Sequence, residues 1–258
     1  MSIDQPLAQA GHEAFSLLAV VPVYNHGQAV GGVVQALRAQ GLPVLLVDDG
    51  SEAGCAAVLD GLARADGQVR VLRLAQNQGK GGAMMAGLQE ALRLGYSHAL
   101  QLDADGQHDA SDLPRFMAQA RAHPRHFICG CPLYDASVPK GRLYGRYATH
   151  VWVWINTLSL AIRDSMCGFR VYPLAPTVKR IRRSRIGRRM DFDVEIAVRL
   201  VWDGVPVINQ PTRVHYPADG VSHFRALRDN LLISWMHTRL FFGMLARLPL
   251  LLWRKVAA

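Results

Sequence analysis

Nowhere in the 258 residues does an apolar run reach the roughly 18 to 20 needed to span a bilayer, so no transmembrane helix is expected. Cysteine is scarce. Cys55, Cys129, Cys131 and Cys167 form neither a CxxC pair nor a disulfide framework, which fits a reducing cytoplasm. The first fifteen residues, MSIDQPLAQAGHEAF, carry acids but no basic run ahead of an apolar stretch, unlike a secretory signal. Acidic side chains are outnumbered, 20 against 29 Lys and Arg. Seven of those cations fall between Lys179 and Arg189 with no acid among them, and without them the formal charge drops from +9 to +2. No aromatic residue is interleaved with them, so nucleic acid is not an expected partner. A solvated loop, or an anionic membrane or other phosphate-bearing partner, is left. Low-complexity linkers and internal repeats are missing too.

What is present is alternation. Half the chain (50%) is apolar and 19% charged, enough to build a core. Short branched runs at 17–23, 44–47, 69–74 and 98–103 predict strands, and the segments 29–40, 54–65, 80–94 and 111–122 carry helical patterning. That order predicts an α/β fold, a mostly parallel sheet flanked by helices, with ligands bound beyond the carboxyl ends of the strands. Later segments predict a strand at 127–130, a helix at 143–162, a strand or turn at 167–173 and a helix at 191–203. Extended pieces follow at 205–209 and 213–216. The expected organisation is a flexible lead-in over 1–15, one domain over 16–223 and an apolar, basic helical tail over 224–258. Within the domain, 16–125 and 126–223 form two halves.

Chemistry gathers at the expected strand ends. Asp103-Ala104-Asp105-Gly106-Gln107 follows the fourth strand. In an extended chain Asp103, Asp105 and Gln107 point to one side and offer three oxygens, a set suited to Mg²⁺ or Mn²⁺ completed by phosphate oxygens. Asp48-Asp49-Gly50-Ser51 follows the second strand. A carboxylate there suits a nucleobase N–H or a ribose hydroxyl, and equally a helix cap. Gly79-Lys80-Gly81-Gly82 fits neither a P-loop nor a dinucleotide fingerprint. It reads as a glycine-rich helix start with one lysine, suited to an anion or to a plain turn.

Taken in order, Val21-Pro22-Val23-Tyr24-Asn25, Asp48-Asp49-Gly50-Ser51, Asn77 with Gly79-Lys80-Gly81, and Asp103 to Gln107 form a recognisable series. So do Asp164-Ser165-Met166-Cys167-Gly168-Phe169-Arg170 and Phe192-Asp193-Val194-Glu195. The sequence resembles, over about 17–225, the family-2 glycosyltransferases of the A-type fold. The nearest branch is that of the dolichyl-phosphate mannose synthases and bacterial polyprenyl-phosphate glycosyltransferases. The resemblance implies that Pro22, Tyr24, Val47 and Asp49 hold the nucleoside of a nucleotide-sugar donor, with Asn25 and Lys80 beside them. Asp103 and Ala104 would meet the ribose and phosphate side, and Asp105 and Gln107 the metal. His26 stands where the mannose synthases carry Glu, so the base is left open between guanosine, uridine and thymidine.

The implied activity is inverting, metal-dependent sugar transfer to a lipid-linked, polyprenyl-phosphate-like acceptor in cell-envelope glycan or glycolipid synthesis. A soluble or protein-bound hydroxyl acceptor, or a non-catalytic membrane-surface protein of the same fold, are the alternatives. An ionised phosphate needs no general base, whereas a hydroxyl does, and Asp164 is the candidate. Its other reading is a structural pair with Arg163 or Arg170. Arg170 and His223 are candidates for acceptor or diphosphate contact. Asp193 and Glu195 lie two apart on a helix, so only one can face the site. The tail reads as an amphipathic helix in the headgroup plane or as a core or dimer helix. With the cations of 179–189, the first option implies a cytoplasmic protein attached peripherally to the inner face of the plasma membrane.

Overall fold

Alternate residues of β1 (Leu17–Val23) belong to different cores: Leu17, Ala19, Val21 and Val23 to one, Leu18 and Val20 to the other. A strand buried on both faces needs helices on both sides. The computed structural model describes residues 14–133, 140–214 and 226–256. In it the strand is joined by β2 (Val44–Asp48), β3 (Val69–Arg73), β4 (His98–Gln101), β5 (Phe127–Leu133), β6 (Arg170–Pro173) and β7 (Val207–Arg213). Their order across the sheet is β3-β2-β1-β4-β6-β5-β7, and β6 alone of these runs antiparallel to its neighbours.

Helices α1 (Gly27–Ala39), α2 (Ala53–Ala65) and α4 (Leu113–Ala122) cover one face. The other face carries α3 (Lys80–Arg93), α5 (Lys140–Thr157), α6 (Leu174–Arg183), α7 (Phe192–Trp202), α8 (Ala226–Leu245) and α9 (Leu248–Val256). Fully buried Leu37, Leu46 and Leu100 each contribute about 1.5–3 kcal/mol by leaving water. β1 has β2 on one side and β4 on the other, so the strand order reverses there and opens a crevice at their carboxyl ends. Pro22 sits in that opening. Its missing N–H costs little, because pairing with β4 stops at Val20 while Pro22 lies in register with Val47 of β2.

Several expectations are corrected. β4 ends at Gln101, two residues early, and the chain turns over 104–106 with Gly106 at φ 70°. Residues 215–216 lie outside the described residues; over the rest, the extended pieces expected at 205–209 and 213–216 give way to the continuous β7. It pairs along the whole of β5, which is why β5 runs on to Leu133. The helix expected at 143–162 ends at Thr157, followed by Leu158 at φ 49°. The basic stretch is not a loop throughout: its first part is α6, which buries Thr177, Val178 and Ile181 and leaves Lys179, Arg182 and Arg183 exposed. Of the lead-in, Phe15 is described and its ring lies 4.7 Å from that of His98.

The tail is two helices with two faces. α8 buries Met236, Leu240 and Met244 in the core and leaves Leu231, Trp235 (60% exposed) and Phe242 (64%) outside. α9 buries Leu251 and exposes Trp253. Beside α8, α5 exposes Tyr147, Val151, Trp152 and Ile155. No helix among the described residues is long and apolar enough to cross a membrane.

Candidate functional site

The ends of β1 and β2 are locked together by side chains. Asn25 adopts φ 57°, donates its N–H to Ser51 Oγ (3.1 Å) and accepts from Glu52 N–H through Oδ1 (2.8 Å). Asp48 accepts from Ser51 N–H and from Arg73 Nε. Neither Asp49 nor Ser51 caps α2, whose cap position is Glu52. Tyr24 and Pro22 are half-buried at the crevice, and Val47 is buried beneath them.

Asp49 is placed differently from its expected role. It is only 2% exposed, and its carboxylate accepts from Gln78 N–H (2.7 Å), Gly79 N–H (2.9 Å) and Asn77 Nδ2 (3.0 Å). Burial raises its carboxyl against those donors. Its carboxylate therefore faces the chain's own loop. The anion expected at the start of α3 is this carboxylate, a side chain of the protein itself. The glycines there serve packing: at Gly79, φ 85°, a Cβ would meet the Arg188 carbonyl at 2.6 Å, and Gly82 donates its N–H to that same carbonyl.

Lys80 leaves the helix start and reaches across to two carboxylates. Its Nζ lies 2.9 Å from Asp103 Oδ2 and 2.9 Å from Asp193 Oδ2. Burial opposes the ammonium charge, but Asp103 and Asp193 outweigh it and push the lysine well up. Burial would likewise raise the Asp103 carboxyl, yet Lys80 and His108 hold it far below the usual carboxylate range. Gly168 closes on the same carboxylate, where no room exists for a Cβ. Behind it, Gln101 Nε2 donates to Asp193 Oδ1 and Tyr172 Oη donates to Gln101.

The residues expected to hold a metal do not share a strand face, because β4 has ended before them. Asp105 lies in the turn, where its Oδ1 accepts from Gln107 N–H (3.0 Å). Ala104 is buried, and Asp105 and Gln107 are half-buried. A divalent cation still fits: Asp103 Oδ1 is a buried acceptor with no hydrogen-bond partner. Among the described residues no three His, Cys, Asp or Glu side chains group to hold an ion alone. A cation here would draw further oxygens from the donor's diphosphate, the usual habit of Mg²⁺.

Asp164 and Arg170 are corrected most. Asp164 is 2% exposed; Arg146 of α5 grips it with two bonds (2.6 and 2.8 Å), and Met166 and Cys167 donate their N–H groups to it at 2.8 Å. His150 Nε2 stands 3.4 Å away. Burial alone would raise this carboxyl, but His150 and Arg146 hold it far below its ordinary value, the opposite of what a general base needs. The structural pairing is real, yet its partner is Arg146 rather than Arg163 or Arg170. Arg170 is 0% exposed and donates to the carbonyls of Cys167, Ser165 and Asp193, each at 2.6 Å. It braces the 164–170 loop from within the core. His223 lies outside the described residues.

Of the paired acids on α7, Asp193 faces the site. Glu195, fully buried, accepts from Gly187 N–H, Arg199 and Arg239 and so ties the basic segment to α8. The pairing of Lys80 with Asp193 was not legible beforehand, although the acids' spacing showed that one of them would face inward. Arg146 and His150 carried no sequence signal beyond sitting four apart on one helix.

Comparison with known proteins bears on the family and the fold. An undecaprenyl-phosphate mannosyltransferase of Micrococcus luteus is 28% identical over 206 residues, 76% of this chain and 82% of that protein. A polyprenol monophosphomannose synthase of Mycolicibacterium smegmatis is 29% identical over 213 residues, 75% of each. Among solved structures, glucosyl-3-phosphoglycerate synthase from Mycobacterium tuberculosis, held with Mn²⁺, UDP-glucose and phosphoglyceric acid, superposes with a TM-score of 0.66. It has 12% identity and covers 93% of this chain and 85% of its own. A mannosyltransferase from Pyrobaculum calidifontis with GDP-mannose and Mn²⁺ gives 0.56 at 15% identity, covering 94% and 68%. At such identities these two structures speak for the fold. The model of glycosyl transferase family 2 matches residues 18–184, well over half the chain, and the protein is a member of that family.

Proposed function

We propose that this enzyme moves a sugar from a nucleotide-sugar donor to the phosphate of a polyprenyl-type lipid, with inversion, at the inner face of the plasma membrane. The observation that carries the acceptor choice is Asp164. Its carboxylate is occupied by Arg146 and two backbone N–H groups, so the acceptor-side motif offers no free base. A lipid phosphate needs none, being ionised at neutral pH. The names of the Micrococcus and Mycolicibacterium relatives support the same acceptor class.

In this reading residues 16–125 take the donor and 126–223 the acceptor. Pro22, Tyr24 and Val47 line the nucleoside side of the crevice. Asp103 and Asp105, with Gln107 beside them, would hold Mg²⁺ or Mn²⁺, which when bound supplies positive charge against the diphosphate. A phosphate oxygen of the acceptor attacks the anomeric carbon, and the bond to the nucleoside diphosphate breaks on the opposite face with no proton to remove. Lys80 keeps the Asp103 carboxylate in place throughout. The test offers labelled nucleotide sugars with undecaprenyl phosphate or with undecaprenol, each with Mn²⁺ or with chelator. Label should enter only the phosphate-bearing lipid and only with metal. Transfer to the alcohol but not to the phosphate would overturn the reading.

The membrane side of the proposal rests on the exposed face of α5 and α8. Trp152, Trp235 and Phe242 suit the headgroup boundary, and Arg182, Arg183 and Arg185 lie exposed on the neighbouring segment. Arg239 joins the two, donating to the Arg185 carbonyl and to Glu195. Vesicles containing acidic lipid should therefore bind the protein, each such cation contributing about 1 kcal/mol at low salt. Changing Arg182, Arg183 and Arg185 together to Glu should release it. Trp235→Asp with Phe242→Asp should remove the salt-resistant remainder. Point changes are the right tool, since truncation after Arg239 would take Leu240 and Met244 out of the core. Co-sedimentation at two salt concentrations checks this, and no binding at low salt would sink it.

A further inference from the structure

Two acidic side chains share one ammonium at the carboxyl edge of the sheet. Lys80 Nζ is 2.9 Å from an oxygen of Asp103 and 2.9 Å from an oxygen of Asp193. Asp193 is itself fixed: Gln101 Nε2 lies 3.2 Å from its Oδ1 and Arg170 3.7 Å, and Arg170 also donates to its backbone carbonyl. An ammonium drawn by Asp103 alone would settle on that carboxylate and follow it as it turned. Drawn by both, it meets Asp103 at Oδ2 from the side of Asp193, while Gly168 closes against the same group. Asp103 Oδ1 is then left as a buried acceptor with no partner.

We propose that Asp193 is a positioning residue of the donor site: through Lys80 it holds the Asp103 carboxylate with Oδ1 presented to the cation that would meet the donor's diphosphate. Asp193 itself touches neither. The inference rests on the reading of Asp103 and Asp105 as the cation-holding pair. Losing a group bonded directly to a metal ligand changes metal affinity about 10–100-fold; Lys80 is such a group, and Asp193 acts through it.

The experiment follows Mn²⁺-dependent binding of GDP, UDP and dTDP by calorimetry, with donor KM, kcat and Tm measured on the same samples. Asp193→Asn, nearly equal in shape, should raise the Mn²⁺ concentration for half-maximal nucleotide binding about 10–100-fold. Donor KM should rise with it, and kcat should change less. In a Lys80→Met background the same change should add little, because the link between the two carboxylates is already gone. A Mn²⁺ midpoint for Asp193→Asn equal to that of the unaltered protein would overturn the proposal. So would an undiminished effect in the Lys80→Met background, which would mean that Asp193 acts otherwise than through Lys80. If Asn at 193 does not fold, Gln101→Met removes a support of Asp193 without changing any charge. It should shift the midpoint in the same direction, and no shift would count against the proposal. If the unaltered protein binds none of the three nucleotides in a Mn²⁺-dependent way, the donor-site reading fails and this inference falls with it.

Discussion

Asp105→Ala should lower sugar transfer by about 10³-fold or more and leave the fold standing. Charge stabilisation by a divalent ion is worth several kcal/mol at a departing diphosphate, and each 1.4 kcal/mol or so is tenfold in rate. The structural cost is small by comparison. Asp105 is half-buried in a turn, and the hydrogen bond it accepts from Gln107 N–H is worth about 0.5–1.5 kcal/mol net. The pair of measurements is kcat/KM with saturating Mn²⁺ and Tm by calorimetry. Turnover that is unchanged in the variant, or equal in the presence of excess chelator, would remove the metal from the mechanism.

Asp164→Asn should do the reverse, costing stability first. The substitution takes away the charge facing half-buried Arg146, and the loss of charge-assisted hydrogen bonds to the buried carboxylate costs about 1.5–3 kcal/mol. Activity per folded molecule with the phosphate acceptor should fall as well, since the 164–170 loop carries Gly168 against Asp103. The pH dependence has a definite sign. A carboxyl held below its unfolded value of about 3.9 contributes its full stability above that value. The contribution is lost as pH falls through it toward the depressed folded value. The stability gap between the unaltered protein and Asp164→Asn should shrink in strong acid, below the unfolded carboxyl value. Denaturant titrations at neutral and acid pH decide this. A fully stable Asp164→Asn that loses only hydroxyl transfer would restore Asp164 as a base.

Helix α5 joins these two results to the membrane proposal. Its inner side carries Arg146 and His150 onto Asp164, and its outer side shows Tyr147, Val151 and Trp152 to solvent. One helix thus meets both the floor of the site and the surface assigned to lipid. The same economy is seen at Glu195, which fixes the basic segment and α8 with one carboxylate.

The sequence by itself determined the periodic features. Branched runs of four to seven residues separated by helical patterning set the parallel sheet, because a strand buried on both faces must be apolar throughout. The carboxyl-edge placement of Tyr24, Asp49, Lys80 and Asp103 followed from strand order alone. Family membership was legible in motif order. Tertiary structure alone decided which partner each charged group took. Asp49 turned to the loop of Gln78 and Gly79, Arg170 to backbone carbonyls, Asp164 to Arg146 and Lys80 to Asp103 and Asp193. The physical reason is that a buried ion must find its counter-charge or hydrogen bonds among whatever groups the packing brings near. Those groups come from elements far apart in the chain. Hydrophobic period is a local property of the sequence, and ion pairing across a closed core is not.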